Sequence, residues 1–330
     1  MDNAKVISQV AKERIPLASR VPLDTPLVIY VEVSSFCNLA CTFCPHYIAP
    51  DRLHKQNMSL DIFKKLVDDS LHFDNRLKLL RICGTGDATL NKELPAMVQY
   101  ANSRNVSEKF EMITNGILLK EPTITILTDS LSRIIVSIEG LTDEDYEYFT
   151  NRKVNYNTVV KNVKQLYENK NDCTIHVKIH NSAVPTKEKQ DKFFDTFGSF
   201  CDEIYIENLV DLWPDTDSSL GNDPVQRFSG GVPREVLVCS QIFKTMQVNS
   251  DGRVMPCSID WEAKNIIGDI TKQSLKDIWN GEEMKEIRLK HLLGKRFNFL
   301  PCKNCSFNEY SDVDDLDSEA SMILDRIGIS

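Results

Sequence analysis

The sequence lacks the features that mark a membrane, secreted or nucleic-acid-binding protein. No run of apolar residues approaches the length of about 18 that a transmembrane helix needs. The start of the chain carries Lys5, Lys12, Glu13 and Arg14 and has no continuous apolar segment of the kind found in secretory signals. The formal net charge of −9 disfavours a polyanion as the main partner. We therefore expect a cytoplasmic protein with no membrane or nucleic-acid partner.

A disulfide framework is not expected either, although the chain contains 10 cysteines among its 330 residues. The cytosol is reducing, so cysteines that group together there more often bind metals or iron–sulfur clusters. The sequence shows no internal repeat and no long low-complexity segment. Its length suits one large α/β domain with a small appended domain.

Short β-branched apolar runs alternate with stretches of helical spacing along the first two thirds of the chain. The predicted strands are residues 27–33, 77–82, 110–114, 134–138, 174–179 and 203–207. One predicted helix has an apolar stripe from Ile62 to Leu71, and Ser59 is its expected N-cap. This alternation predicts βαβ units around a parallel sheet. Periodicity alone leaves open whether the sheet is a partial barrel or doubly wound.

The alternation ends near residue 210, and the composition then changes. We predict an N-terminal extension over 1–26, an α/β domain over 27–210, a linker or long loop over 211–235, a cysteine-bearing domain over 236–310 and an acidic tail over 311–330. The acidic tail is expected to be a solvated surface segment that ends in a short helix.

Three cysteines follow the first predicted strand, in the segment Cys37-Asn-Leu-Ala-Cys41-Thr-Phe-Cys44. In parallel α/β folds this end of a strand is where ligands bind. A 4Fe–4S cluster held by three thiolates keeps one iron without a protein ligand, so that iron can bind a small molecule. The alternative is a zinc site, which ordinarily needs four ligands and would take His46 as the nearest fourth candidate.

This segment, with Phe43 at its aromatic position, resembles the Cys-x-x-x-Cys-x-aromatic-Cys signature of the radical S-adenosylmethionine (radical SAM) superfamily. Three later segments resemble further motifs of that family in the same order. They are Gly84-Thr85-Gly86-Asp87 for Gly-Gly-Glu, Thr114-Asn115-Gly116 for Thr-Asn-Gly and Ser137-Ile138-Glu139-Gly140 for Ser-(Ile/Leu)-Asp-Gly. The resemblance implies an α/β fold, namely a partial (β/α)6 TIM-like barrel.

The resemblance also implies which residues contact S-adenosylmethionine (SAM) on the open iron. The residues Gly84, Thr85, Gly86 and Asp87 would hold the methionine amine, Ser137 and Arg152 the ribose and carboxylate, and the backbone near Phe43 the adenine; Asn115 belongs to the same cofactor site. The sequence departs from the family at two positions. Asp87 is one methylene shorter than the family's Glu, and Ala88 replaces its usual Pro.

A second group of cysteines comprises Cys239, Cys257, Cys302 and Cys305. Residues 248–254 predict a β-hairpin that brings the first two together, and the Cys-x-x-Cys pair would then close a four-thiolate site. Spacing alone leaves structural zinc open. The Cys-x12-Gly-x4-Cys spacing, however, resembles the SPASM/twitch domains appended to radical SAM barrels. It implies a small C-terminal cysteine-rich twitch/SPASM-like domain with one fully ligated 4Fe–4S cluster, suited to electron transfer. The remaining Cys83, Cys173 and Cys201 are expected to be core thiols.

The resemblance implies that the protein cleaves SAM to a 5′-deoxyadenosyl radical, abstracts a hydrogen atom from a substrate and oxidises it through the second cluster. A reductase such as flavodoxin or ferredoxin would supply the electron. The short twitch version resembles enzymes that dehydrogenate or epimerise aminocyclitols and sugars, so we expect a carbohydrate-like small molecule as substrate. Candidate catalytic residues at the carboxyl ends of predicted strands are Lys178, His180, Tyr205 and Glu207. The alternatives are peptide maturation and, without enzymatic activity, a zinc-stabilised binding protein.

Overall fold

The structure is a computed structural model that describes residues 4–8, 15–210, 212–216, 226–228, 231–311 and 314–328. Much of the predicted linker over 211–235, and parts of the predicted extension and tail, lie outside the described residues. Within the described part, helices that are both long and apolar enough to span a bilayer do not occur.

The strands of the described residues join into one sheet. In chain order they are β1 (Lys5–Val6), β2 (Val28–Val31), β3 (Leu77–Ile82), β4 (Ser107–Thr114), β5 (Arg133–Ile138), β6 (Thr174–His180), β7 (Glu203–Glu207), β8 (Thr245–Val248), β9 (Arg253–Met255) and β10 (Gly268–Asp269). Their spatial order is β1-β7-β6-β5-β4-β3-β2-β8-β9-β10. The strands from β2 to β7 are parallel and each pairs with the next one along the chain. This order confirms the partial barrel, because a doubly wound sheet reverses its order at a switch point.

The α-helices connect these strands and form an outer layer. They are α1 (Pro45–Ile48), α2 (Leu60–Ser70), α3 (Leu94–Arg104), α4 (Thr123–Ser130), α5 (Asp143–Thr150), α6 (Tyr156–Asn169), α7 (Lys187–Phe197), α8 (Leu275–Trp279), α9 (Glu282–Leu292), α10 (Phe307–Tyr310) and α11 (Ala320–Arg326). The predicted cap of α2 is confirmed, because Ser59 Oγ accepts a hydrogen bond of 3.3 Å from the Ile62 amide. Such caps satisfy amides that have no partner inside the helix.

Apolar side chains fill the space between the sheet and the helices, whereas polar side chains face the barrel interior. Buried residues such as Leu66, Val163 and Phe193 belong to the outer layer. Strand register places the inward-facing side chains of neighbouring strands in one row, as for Arg81 beside Glu111. Alternation of side chains along each strand separates the two environments. The hydrophobic core is therefore a shell around a polar interior.

The three ungrouped cysteines divide between these environments. Cys173 and Cys201 are fully buried, which confirms the prediction of core thiols. The prediction is wrong for Cys83, which is half-buried at the end of β3. Its thiol lies among inward-facing charged groups that include Arg81 and Glu32. A cysteine directly after a strand cannot be assigned to a face from apolar composition alone.

The C-terminal region extends the barrel sheet instead of forming a separate layer. Strand β8 pairs in parallel with β2, from Val28 beside Thr245 to Val31 beside Val248. The predicted hairpin is present, with β8 antiparallel to β9. Gly252 in its turn has a φ of +90°, a conformation that glycine adopts without steric cost. The parallel pairing was not expected from sequence, because β2 and β8 are far apart along the chain.

The acidic segment near the C-terminus is not simply solvated, so that prediction is wrong for Asp314, whereas Asp315 is exposed. Asp314 forms an ion pair with Lys244, and both side chains are largely buried. Asp315 pairs with Arg234. Asp317 accepts a hydrogen bond of 2.7 Å from the amide of Val238. These contacts bind the segment to the chain around the second group of cysteines.

Gly86 permits a close approach between two loops at the carboxyl ends of β2 and β3. A Cβ atom on Gly86 would lie 2.4 Å from the carbonyl oxygens of Ser34 and Phe36. The neighbouring Asp87 amide donates a hydrogen bond of 2.8 Å to the same Phe36 carbonyl. The contact partners are backbone atoms, so they cannot move aside as a flexible side chain could.

We therefore predict that Gly86→Ala lowers the unfolding free energy by about 3 kcal/mol or more, because overpacking against backbone forces the loops apart. Thermal unfolding followed by circular dichroism measures the change. Gly294→Ala is the matched control, since Gly294 has a φ of +70° but no heavy atom within 4 Å of an added Cβ. Its cost should be about 1–2 kcal/mol from backbone strain alone. Equal stability of Gly86→Ala and the wild-type protein would contradict the proposed close contact.

Candidate functional site

The loop that carries the first three cysteines lies over the carboxyl ends of the barrel strands. The end of α5 holds it there. The amide of Ala40 donates to the Thr150 carbonyl (3.0 Å), and the amide of Thr42 donates to the Phe149 carbonyl (2.9 Å). Asn151 Nδ2 donates to the carbonyl of Ala40 (3.1 Å). The predicted ligands are thus anchored by backbone contacts on both sides of the loop.

The three thiols of this loop lie in an environment that opposes their ionisation. Burial raises the pKa of Cys37 to about 11 and that of Cys44 to about 12, and it holds the pKa of Cys41 well above its usual range. The negative charge of Glu139 acts on all three in the same direction. A buried thiol becomes a thiolate when a cation such as iron binds it. The donor set of three half-buried thiols therefore fits a cluster whose iron supplies that charge.

Zinc was the alternative for both cysteine groups. Among the described residues, no three Cys, His, Asp or Glu side chains converge closely enough to hold one metal ion. His46 consequently does not complete a single-ion site with the nearby cysteines. Its Nε2 atom is buried without a hydrogen-bond partner, and burial lowers the pKa of its imidazole.

Asp87 ties together two of the motif segments that the sequence identifies. Its carboxylate accepts hydrogen bonds from Thr89 N (3.0 Å), Thr114 Oγ1 (2.9 Å) and Asn115 N (2.7 Å). Asp87 is 4% exposed, and both of its oxygens have protein donors. The structure therefore gives this side chain a positioning role. Its predicted contact with the amine of SAM stays a prediction.

The segment before Asp87 is held by a carboxylate that the sequence analysis did not identify. Glu32 Oε2 accepts hydrogen bonds from Thr85 N (2.9 Å) and Thr85 Oγ1 (2.7 Å). A Cβ on Gly84 would fall 2.5 Å from Glu32 Cγ, so glycine leaves room for this side chain. Glu32 Oε1 also accepts a hydrogen bond of 3.3 Å from Ser250 Oγ in the β8–β9 turn. Glu32 thus links the predicted cofactor site to the C-terminal region.

Three further predicted cofactor contacts lie around the same end of the barrel. Asn115 Nδ2 donates to Asn38 Oδ1 (2.7 Å) and lies 4.0 Å from the Cys37 sulfur. Ser137 faces the barrel interior beside Lys178. Arg152 is exposed, and its guanidinium donates to the Asn151 carbonyl (2.9 Å).

The predicted catalytic residues Lys178 and Glu207 form a half-buried ion pair inside the barrel. Lys178 Nζ lies 2.5 Å from Glu207 Oε1, and the two side chains are 14% and 18% exposed. Strand register places Tyr205 beside Lys178 and Glu207 beside His180. All four predicted residues therefore belong to adjacent positions on β6 and β7.

His180 has different surroundings from the other three. Its ring packs edge-on against Phe43 (5.2 Å between centroids) and Phe149 (4.8 Å), so it contacts the aromatic residue of the cysteine loop. Burial lowers the pKa of His180 to about 4, which leaves the imidazole neutral near pH 7. Its Nε2 atom lies 3.6 Å from Glu139 Oε2, too far for a hydrogen bond. This pair is consequently not an ion pair at neutral pH.

Glu139 is, after Glu32, a second carboxylate that the sequence analysis did not identify as a functional residue. Burial raises its pKa to about 7, the nearby Lys178 lowers it and Glu207 raises it. A carboxylate with a pKa near 7 can take up or release a proton at physiological pH. The sequence feature that could have identified Glu139 is its position in the motif 137–140, where the family has Asp.

The second group of cysteines surrounds one small cavity. Cys239, Cys257, Cys302 and Cys305 all line it, together with apolar neighbours. The Cys239 thiol donates to Asn308 Oδ1 (2.9 Å), and burial raises the pKa of all four thiols. Four buried thiols at one cavity fit a fully ligated iron–sulfur cluster.

Comparison with known families matches two parts of the chain. Residues 31–183 match the radical SAM superfamily, and residues 239–306 match SPASM, an iron-sulfur cluster-binding domain. The first match contains the cysteine loop and all three later motifs. The second contains the four cysteines that share a cavity.

The chain is also similar to individual proteins. It is 21% identical to the tungsten-containing aldehyde ferredoxin oxidoreductase cofactor-modifying protein of Pyrococcus furiosus, over 86% of this chain and 88% of that protein. It resembles the crystal structure of BtrN in complex with AdoMet and 2-DOIA, with a TM-score of 0.55 and 21% identity, over 87% of this chain and 98% of BtrN.

A third similar structure is Streptococcus suis SuiB bound to precursor peptide SuiA. The TM-score is 0.56 and the identity 15%, over 90% of this chain and 73% of SuiB. At these identities the structural likenesses concern the fold. Together with the two family matches, they identify what kind of protein this is: the chain belongs to the radical SAM superfamily, has a C-terminal SPASM domain and uses S-adenosylmethionine and 4Fe–4S clusters.

Proposed function

We propose that the chain is a radical SAM oxidoreductase that oxidises a small, hydroxyl-bearing substrate, of the carbohydrate or aminocyclitol kind, inside the barrel. The observation that carries this proposal is the polar lining at the carboxyl ends of the strands. Glu139, Lys178, Tyr205 and Glu207 all lie at inward-facing positions of β5 to β7 or directly after them. A lining of this composition suits a ligand with several hydroxyl groups, because each buried polar group needs a hydrogen-bond partner.

The proposal assigns the cofactors to the following residues. Cys37, Cys41 and Cys44 would bind the first cluster, and Cys239, Cys257, Cys302 and Cys305 the second; SAM would contact Phe43, Gly84, Thr85, Gly86, Asp87, Asn115, Ser137 and Arg152. When bound and reduced by a flavodoxin- or ferredoxin-type donor, these groups supply a 5′-deoxyadenosyl radical and a site for the electron that the substrate loses. Substrate binding and proton removal would fall to the side chains inside the barrel.

The barrel side chains would bind the substrate and remove a proton from it. Lys178 and Glu207 offer a charge-assisted donor and acceptor to neighbouring hydroxyl groups, and Tyr205 lies beside them. Glu139 is the best-placed proton acceptor, since its pKa of about 7 lets it carry a proton at physiological pH. His180 is neutral and packed against Phe43, so its part is to shape the wall next to the cofactor.

Peptide modification is the second candidate function. It is favoured by the similarity to SuiB in its complex with a precursor peptide. A peptide substrate would enter the same barrel opening with one side chain. The two candidate functions differ in the substrate: with SAM and a reductant present, one needs a small hydroxyl-bearing molecule and the other a peptide to form a new product.

We expect the anaerobically reconstituted protein to contain roughly eight iron atoms per chain if both clusters are 4Fe–4S. With dithionite and SAM it should form 5′-deoxyadenosine, and a panel of polyols and aminocyclitols should accelerate this and yield a product two hydrogens lighter. Cys41→Ala should abolish SAM cleavage, because the first cluster loses one of three ligands. Cys173→Ala, a buried thiol outside both groups, is the control and should retain activity.

Three results would contradict parts of the proposal. A colourless protein that binds zinc in place of iron would remove the radical mechanism altogether. A product obtained from peptides and from none of the polyols would replace the first candidate function by the second. An isomer of unchanged mass would indicate epimerisation in place of oxidation.

The ion pair in the barrel can be tested without leaving a buried charge unpaired. The double variant Lys178→Met/Glu207→Gln removes both charges together, which limits the loss of stability. It should lower kcat/KM for the substrate by about 10- to 100-fold, the effect of a lost charge-assisted hydrogen bond, while SAM cleavage without substrate persists. Lys170→Met is the control, because Lys170 pairs with Asp202 (3.0 Å) at the opposite end of β6. Equal losses in both variants would argue against a substrate contact.

The raised pKa of Glu139 predicts a pH-dependent stability of the metal-free protein. Its folded-state pKa of about 7 lies above the ordinary value of 4.5, so the wild-type protein loses stability as the pH rises between these values. Glu139→Gln should therefore match the wild type near pH 4.5 and exceed it by up to roughly 3 kcal/mol near pH 8. Urea unfolding at several pH values measures this difference. Glu144→Gln on the exposed face of α5 controls for loss of one negative charge, and a parallel response of both variants would contradict the assignment.

A further inference from the structure

Arg296 is a buried cation beside the second group of cysteines. It lies in the 3-10 turn Arg296–Asn298 and is 2% exposed. Its Nε and Nη1 atoms have no hydrogen-bond partner, and none of the ion pairs among the described residues includes it. Taking a guanidinium out of water without a counter-charge costs several kcal/mol. The protein keeps it nevertheless, so a compensating negative charge is to be sought nearby.

The groups that face Arg296 are the thiols of the proposed second cluster. Burial raises the pKa of Cys239, Cys302 and Cys305, and the positive charge of Arg296 acts in the opposite direction on each of them. The turn that carries Arg296 packs against the turn Cys302–Asn304 and against α9. In α9, His291 Nδ1 accepts a hydrogen bond of 3.3 Å from the Cys239 amide, so the buried Arg296 lies between two segments that contact the second group of cysteines.

The residues around Arg296 do not form an ion pair with its guanidinium. Asp260 is the carboxylate that lines the same cavity, but its oxygens accept hydrogen bonds from the amides of Lys264 (2.9 Å) and Asn265 (2.7 Å). The guanidinium lies over the ring of Phe297 at 4.6 Å, a contact that orients it without neutralising it. The imidazole of His291 is kept neutral, because burial and then Arg296 lower its pKa.

We propose that Arg296 is the counter-cation of the SPASM iron–sulfur cluster and raises its reduction potential. The inference rests on the proposed function, in which these four thiols hold that cluster. A cluster ligated by four thiolates is an anion, and it becomes more negative when it takes up one electron. A fixed positive charge stabilises the reduced form more than the oxidised form. Arg296 therefore acts by position, through the cluster, and does not touch the substrate.

The electron that enters the cluster can be followed directly. The background Cys37→Ala/Cys41→Ala/Cys44→Ala removes the first site, so that redox titration with dithionite, monitored by electron paramagnetic resonance, reports the second cluster alone. Arg296→Gln should lower the ratio of reduced to oxidised cluster at a fixed potential by about tenfold, equal to about 59 mV for a one-electron couple. Arg296→Lys keeps the charge and should restore most of the ratio.

Arg288 provides the matched control. It is a second arginine of the same region, but it lies over the ring of Trp279 and donates to the Ile242 carbonyl (3.1 Å). Arg288→Gln should leave the ratio unchanged even if it lowers stability. A loaded Arg296→Gln protein with the wild-type ratio would overturn the proposal, and so would equal shifts in the Arg288 and Arg296 variants.

A stability measurement decides the case even when Arg296→Gln fails to bind iron. In metal-free protein the guanidinium is an uncompensated buried charge, so Arg296→Gln should unfold about 2–4 °C above the wild type. In loaded protein the sign should reverse. A metal-free variant that is less stable than the metal-free wild type would assign Arg296 a packing role and end the proposal. Absence of iron from the wild-type protein itself would instead refute the proposed function.

Discussion

The buried carboxylate of Asp87 is the interaction on which the geometry of the cofactor site depends. It receives donors from the loops after β3 and β4, and the amide of the same residue donates to Phe36 in the loop after β2. Asn115, held by Asp87 through its amide, reaches in turn to Asn38 beside Cys37. One carboxylate with satisfied oxygens thereby fixes three loops to each other.

The barrel interior is divided into a closed base and an accessible upper part. At the base, Arg81, Glu111, Arg133 and Glu203 form a continuous set of buried ion pairs. These charges largely neutralise one another, although Arg133 Nε is buried without a hydrogen-bond partner. Above them, the pair Lys178–Glu207 and the carboxylate of Glu139 lie at the carboxyl ends of the strands, next to the cysteine loop.

The local hydrophobic pattern of the sequence predicted the strands and helices of the barrel. Contacts between residues far apart in the sequence account for the strand pairing that it did not predict. Strands β3 and β7 have their predicted bounds, because each is a short apolar run with clear limits. Strand β4 begins at Ser107, three residues before its predicted start. The prediction missed these residues because Ser107 and Glu108 are polar; in the structure Ser107 pairs with Leu77 of β3, and Glu108 is exposed on the sheet. The parallel pairing of β8 with β2 joins residues about two hundred positions apart, and no local signal encodes it.

The same limit applied to the candidate site. Cysteine spacing and the motif order led to the predicted cofactor residues, since ligand sets leave a regular pattern in the sequence. Glu32 and Arg296 leave no such mark, because a charged residue in a sequence is expected to be exposed. Glu139 stands in the motif 137–140, but its burial and raised pKa could not be read from that motif. Burial is decided by neighbours from other elements, as with Ser250 beside Glu32. These are the residues for which the coordinates add most.

The buried charges differ between the two cysteine groups: the carboxylate of Glu139 lies near the first, whereas the guanidinium of Arg296 lies near the second together with the carboxylate of Asp260. Ionised Glu139 faces all three thiols of the first group, and a negative charge disfavours the addition of an electron. Arg296 faces three thiols of the second group, and a positive charge favours it. Reductive cleavage of SAM needs a strongly reducing first cluster, whereas an acceptor for an electron from the substrate needs a higher potential. If the two cysteine groups hold the clusters as proposed, Glu139 and Arg296 would shift the two reduction potentials in that sense and favour electron transfer towards the SPASM domain.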